Sequence, residues 1–238
     1  SRSMLQRGGG PSLYAGHVST SRFEKLLITS SAALRALADP RRADLVGVVG
    51  EASGEHALRA MHTRMHAHPI GRSILQDRPL ISKATMPLHA LRSMPHGSLG
   101  AEYARFLERH QFDPDERSDV RFVDDADLAY VMLRYRQVHD LWHVLFALPP
   151  TFMGEVALKW LEAAQTGLPM CSVGAFAAGV RLRGHQRSFM VRHVLPWAMR
   201  HAASGVDLLS VYYERELERD LDELRAELEL ELSPLQVL

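Results

Sequence analysis

From Thr20 onward the apolar residues recur three and four positions apart almost without a break, and apolar-polar alternation between turn signals is scarce. That spacing suits helices and leaves little room for a sheet, so it predicts an all-α chain. Its 238 residues can bury about 70 to 75% of the unfolded surface, enough for one sizeable core. We therefore expect a single-domain helical bundle over residues 19–238, with an irregular proline-rich middle section. A disordered tail is expected over residues 1–18. The first 23 residues hold no Asp or Glu, carry Arg2, Arg7 and Arg22 among Ser and Gly, and include Gly8-Gly9-Gly10-Pro11, which bars a helix. Such a composition suits the end of a processed mitochondrial targeting segment, a cloning remnant or an ordinary loose terminus.

Caps and breakers divide the rest. Ser21 can cap a helix whose buried face is Phe23, Leu26, Leu27, Leu34 and Leu37, stopped by Asp39-Pro40. Short helices are expected over 42–51 and 53–66. Prolines at 69, 79, 87 and 95 then predict brief turns and loops over 69–97, before a helix over 100–110. Asp124 is placed to cap a long helix over about 125–148, which Pro149-Pro150 must interrupt. Beyond it come a helix over about 151–165, a small-residue segment over 170–180, and a helix over 184–201 kinked at Pro196. A last helix over about 206–230 follows from the stripe Leu209, Tyr213, Leu217, Leu221, Leu224 and Leu228.

Charge and cysteine usage exclude some function classes. Lys plus Arg and Asp plus Glu both number 28, so no net field exists to hold a nucleic-acid backbone, and nucleic acid is not expected as a partner. The lone Cys171 cannot form an internal disulfide, which suits a reducing compartment. No run reaches the roughly 18 apolar residues that cross a bilayer.

The chemistry is concentrated in one segment. Histidine pairs four residues apart are weak evidence, since 13 histidines give about 0.7 of them by chance. His62 and His66 have Thr63, Arg64 and Met65 between them and no carboxylate, and read as a solvated helix face. His139, Asp140 and His143 differ, because they interrupt an otherwise apolar helix, Val138 to Leu148. At about 100° per residue, His143 lies about 40° and Asp140 about 100° from His139, so the three share one sector. Unpartnered burial of such groups would cost about 2 to 7 kcal/mol each. Glu155 offers a partner: the helix descends about 7.5 Å from His143 to Leu148, and a reversed helix climbs about 6 Å by Glu155. Two imidazoles, two carboxylates and one divalent cation sum to zero charge, a reasonable way to place a metal among Leu141, Trp142, Phe146 and Met153. The residues alone also allow a polar network in which His and Asp bond to Arg134, Arg136 or backbone.

The spacing His139-Asp140-x-x-His143, eleven residues, then Glu155 resembles the metal motif of the coenzyme Q biosynthesis protein four family. The resemblance extends through Arg121-Phe122-Val123-Asp124-Asp125, Gln165-Thr166-Gly167-Leu168-Pro169-Met170-Cys171 and Tyr212-Tyr213-Glu214-Arg215, and into Leu13-Tyr14 and Gly16-His17, covering about residues 13 to 237. Zinc peptidases of the H-E-x-x-H type fit less well, since Asp140 stands where their longer glutamate must reach water. Phosphohydrolases built on a His-Asp doublet need distant ligands that nothing singles out here.

The resemblance implies His139, Asp140, His143 and Glu155 as ligands of a divalent metal, zinc first, with iron(II), cobalt or manganese tolerated by mixed nitrogen and oxygen donors. It implies C1 decarboxylation with hydroxylation of a 4-hydroxy-3-methoxy-5-polyprenylbenzoate in ubiquinone biosynthesis, with Asp140 the candidate catalytic residue. Implied partners are other coenzyme Q biosynthesis proteins, the polyprenylated benzoate lipid, the inner mitochondrial membrane surface on its matrix side, and further copies of the chain. A different class is a non-catalytic organiser that binds lipid intermediates around a structural metal. The small residues Gly174, Ala175, Ala177, Ala178 and Gly179 could make room for a polyprenyl tail, though helix packing explains them equally well. Core burial is the expected use of the apolar faces at 23–37 and 189–198.

Overall fold

The computed structural model describes residues 12–38, 43–117 and 119–237, and these are helical, with one isolated bridge between Ser98 and Asp220 and no strand among them. In chain order the helices are α1 (Arg22–Ala38), α2 (Ala43–Ser53), α3 (Glu55–Ala67), α4 (Pro69–Asp77), α5 (Leu88–Arg92), α6 (Leu99–His110), α7 (Ala126–Leu145), α8 (Phe152–Thr166), α9 (Pro169–Arg181), α10 (Gly184–Phe189), α11 (Leu195–Ala203) and α12 (Leu221–Glu227). Helices α3 to α9, α11 and α12 share one hydrophobic core, against which Val49 of α2 and Phe189 of α10 pack.

At its centre runs α7, buried on most of its circumference by residues such as Leu128, Val131, Tyr135, Val138, Leu141, Trp142 and Leu145. A helix enclosed in this way has no solvent stripe, so any polar residue on it must find a partner inside. Asp125, rather than the expected Asp124, caps it by accepting from the amides of Asp127 and Leu128. Asp124 is instead taken by Lys25 at 2.7 Å and His17 at 3.0 Å. The C-terminus closes when Ala147 turns left-handed (φ 48°) and the Leu148 amide donates to the His143 carbonyl at 2.8 Å. Thr151 caps α8 by accepting from Gly154. A side chain at Gly154 would lie 1.8 Å from the Pro149 carbonyl, so glycine lets α8 start directly over the turn.

Several expectations fail, each for a local reason. Residues 69–97 contain α4 and α5 rather than loops alone, because Pro69 sits in the first turn of α4, where its missing amide costs nothing, and the His68 ring accepts from Gly71. The last helix is also shorter than 206–230: single 3-10 turns at Leu208–Ser210 and Tyr213–Arg215 precede α12. Its would-be backbone acceptors are already used. Tyr213 donates to the Leu208 carbonyl, Arg134 to that of Val211, and the Gly100 and Leu99 amides to those of Leu217 and Arg219.

Ser21 and Glu24 do form a capping box at α1, yet Phe23, Leu26, Leu27 and Leu34 on that helix are exposed, not buried. The helix packs on α2 and buries Ala32 instead. Leu37 and the break at Asp39-Pro40 lie outside the described side chains and residues. Along 189–198 the expected burial is divided: Met190, Val194, Trp197 and Ala198 are buried, whereas Val191 is exposed. Ahead of Pro196, one π-helical turn, Met190–Val194, absorbs the lost amide. The small-residue segment is the helix α9. The tail reading does not extend to residues 14–18: Tyr14 donates to the Val123 carbonyl at 2.7 Å, and Val18 donates to Arg121 at 2.8 Å. Residues 1–11 lie outside the described ones. No helix among the described residues is long and apolar enough to cross a membrane.

Candidate metal centre

One turn of α7 presents His139 and His143 side by side, their ring centroids 5.0 Å apart, and the first turn of α8 brings Glu155 against both. A carboxylate there also meets the positive end of the helix dipole. Donor atoms of the three lie within 4.8 Å of one another. Glu155 Oε2 is 3.7 Å from His139 Nε2, and Glu155 Oε1 is 3.1 Å from His143 Nε2.

Hydrogen bonds on the far side of each ring fix what the near side can do. His143 Nδ1 donates to the Leu148 carbonyl at 3.1 Å, and Phe106 stacks on the ring with centroids 5.5 Å apart. In the neutral tautomer its Nε2 then carries a lone pair. That nitrogen is buried without a hydrogen-bond partner, although a carboxylate oxygen lies beside it, because their geometry is not that of a hydrogen bond. A lone pair facing a carboxylate is relieved by a proton or a metal cation between them, and the donor set suits a divalent metal.

His139 Nδ1 donates to Glu162 Oε1 at 2.6 Å, which turns its Nε2 toward the same point. Glu162 is fully buried and its other oxygen receives Lys159 Nζ at 2.5 Å. Burial would raise the Glu162 carboxyl, but the Lys159 and His139 charges outweigh it and hold it far below the usual carboxylate range. Burial likewise opposes charge on Lys159 and His139, and the Glu162 carboxylate overcomes it in both, raising each. Glu155 is held below its usual range because its two histidines outweigh desolvation. Cys171 lies beside this network, 3.6 Å from Glu162 and 3.2 Å from the Tyr135 hydroxyl. Burial pushes its thiol up to about 12, so it is no thiolate at neutral pH.

Three of the four residues expected from the sequence thus converge. The fourth, Asp140, lies further round α7 and pairs with Arg117. Neither arginine offered as a partner in the polar-network reading reaches the histidines: Arg134 pairs with Glu214 and Arg136 with Glu51. Glu162 and Lys159 were not foreseen, though Glu155, Lys159 and Glu162 follow one face of an apolar helix at four- and three-residue steps. Of the other histidine pair, His66 is exposed and His62 partly so. The centre has an open side, since the Glu155 side chain is 40% exposed whereas that of His143 is 1% exposed.

Residues 14–234 match the model of the family described as Coenzyme Q (ubiquinone) biosynthesis protein Coq4. The chain belongs to this family. Among its Coq4 relatives, the human "Ubiquinone biosynthesis protein COQ4 homolog, mitochondrial" is 44% identical over 230 residues, 97% of this chain and 86% of that protein. The Xenopus laevis protein of the same name is 45% identical over 216 residues, 91% of this chain and 76% of that protein. A crystal structure titled as a putative ubiquinone biosynthesis protein from Nostoc punctiforme shares the fold, with a TM-score of 0.66 at 20% identity over 87% of this chain and 97% of that one. Membership of the Coq4 family places the chain in ubiquinone biosynthesis, among the proteins of that pathway.

Proposed function

We propose that this protein catalyses the oxidative C1 decarboxylation of a 4-hydroxy-3-methoxy-5-polyprenylbenzoate, using a divalent metal held by His139, His143 and Glu155. The observation that carries the reading is the convergence of three ligands on a centre with one open side, the pattern of sites that admit substrate rather than closed structural ones. A divalent cation bound there, zinc first and iron(II), cobalt or manganese as substitutes, supplies charge that stabilises a phenolate or carboxylate oxygen. Glu162 and Lys159 hold His139 in the tautomer that faces the site. Asp140 is poised at the edge to hold a proton or to join as a fourth ligand, and its partner Arg117 supplies a guanidinium suited to a carboxylate. The stoichiometry needs no external reductant: the para-hydroxy acid and one molecular oxygen balance to the quinone, carbon dioxide and water.

A cavity of about 600 Å³ between α8, α9 and α11, bordered by Trp160, Ala163, Ala175, Leu182, Met190 and Leu195, is the proposed seat of the polyprenyl tail. The protein would act as a peripheral protein on the matrix side of the inner mitochondrial membrane, together with other coenzyme Q biosynthesis proteins and further copies of itself. A second reading, a non-catalytic organiser with a structural metal, draws support from the exposed apolar stripe of α1, a surface suited to partners.

The two readings separate in one experiment. Purified metal-loaded protein, given prenylated substrate labelled at the carboxyl carbon and labelled molecular oxygen, should release labelled carbon dioxide and place labelled oxygen at C1. Retention of the carboxyl group by a protein that keeps its metal and binds the lipid would replace the enzyme reading with the organiser.

A further inference from the structure

Between Glu162 and Asp207 the sequence contains no acidic residue, yet it carries Arg181, Arg183, Arg187, Arg192 and Arg200. In a chain whose charges sum to zero this is a marked local excess. The stretch forms α9, α10, the π-helical turn and α11. Arg183, Arg187 and Arg192 are exposed and make no ion pair among the described residues, whereas Arg200 is matched by Glu231 at 2.6 Å. Large apolar side chains are exposed on the same elements: Phe176 at 75%, and Val173, Val191 and Met199 at half or more. Phe176, Arg187, Val191 and Met199 are joined into one patch by the cavity, which all four line.

Arginines beside exposed apolar groups, with no carboxylate in the segment, complement a surface that is negative outside and apolar beneath. A second copy of the same face would oppose arginine to arginine. We propose that the face formed by α9, α10 and α11 docks on an anionic lipid bilayer, with Phe176 and Val191 entering the acyl boundary and Arg183, Arg187 and Arg192 meeting lipid phosphates. This deepens the peripheral location proposed above, and it opens the apolar cavity toward the membrane.

The test uses the full chain and vesicles of phosphatidylcholine, with or without about one third phosphatidylglycerol and with no substrate lipid, so its outcome is independent of turnover and metal content. Flotation should show binding to anionic vesicles that weakens with salt. The double variant Arg187→Glu/Arg192→Glu should weaken it by about tenfold or more, while Arg59→Glu on α3 should not. Phe176→Ser/Val191→Ser should weaken it by about tenfold. A second readout guards against misfolded face variants: anionic vesicles brominated on their acyl chains should quench Trp160 in the parent protein, seen as quenching lost in Trp160→Phe. Equal binding to neutral vesicles, binding that survives the charge reversal, or no quenching of Trp160 would overturn the proposal. So would vesicle-independent dimerisation abolished by Phe176→Ser/Val191→Ser, which would make the face an interface between copies.

Discussion

The pair α7 and α8 and the run from α9 to α11 are neighbours in sequence, but they use their charged side chains in opposite ways. In the first, ionisable groups point inward and are matched closely: His139 to Glu162, Glu162 to Lys159, and both histidines to Glu155. In the second, apolar groups and arginines point outward and the described residues leave several without partners. Burial makes each inward charge depend on its partner, whereas outward groups keep their solvation until a ligand covers them. Changes in the first region should therefore affect metal and stability, and changes to the exposed groups of the second should affect association rather than stability.

The largest effect expected is on metal content. His143→Ala should take the purified protein from close to one divalent metal per chain to almost none, while His62→Ala leaves the content unchanged; elemental analysis decides, and equal content in both variants would break the assignment. Next comes Glu162→Gln, which leaves the partly buried Lys159 without its carboxylate and should cost about 3 kcal/mol in denaturant unfolding. The same carboxyl predicts a pH dependence. Its folded value lies below the unfolded one, so its stabilisation is complete above about pH 4.3 and is lost as pH falls toward the folded value. Glu162→Gln should flatten that acid limb.

How much of this was legible beforehand depends on where partners come from. The helical class and the His139, His143 and Glu155 convergence follow from spacing, because both ends of each relation lie on α7 or just past its turn. Asp140 shares the spacing, but its pairing with Arg117 depends on a loop that helix geometry does not place. The segment 206–230 has a good helical stripe, and it fails as one helix because donors on α6 and α7 take its carbonyls. The stripe on α1 is exposed despite its helical period, because periodicity reports an apolar face without saying what covers it.

Two smaller effects sharpen the contrast. Asp140→Asn should keep the metal while lowering turnover by about tenfold or more, measured on the same preparation; loss of metal would instead make Asp140 a fourth ligand. Phe176→Ser should shift unfolding free energy by no more than about 0.5 kcal/mol, as exposed positions do, against about 3–5 kcal/mol for Trp142→Ala in the core. A large cost at Phe176 would show that the α9 face is buried in the working protein.

The central claim is that a cation joins His139, His143 and Glu155. Anomalous diffraction from metal-loaded crystals, recorded on both sides of the metal's absorption edge, tests it most directly. One strong peak is expected about 2.0–2.2 Å from His139 Nε2, His143 Nε2 and a Glu155 oxygen. A fully loaded crystal with its peak elsewhere, and Glu155 hydrogen-bonded directly to His143, would contradict it.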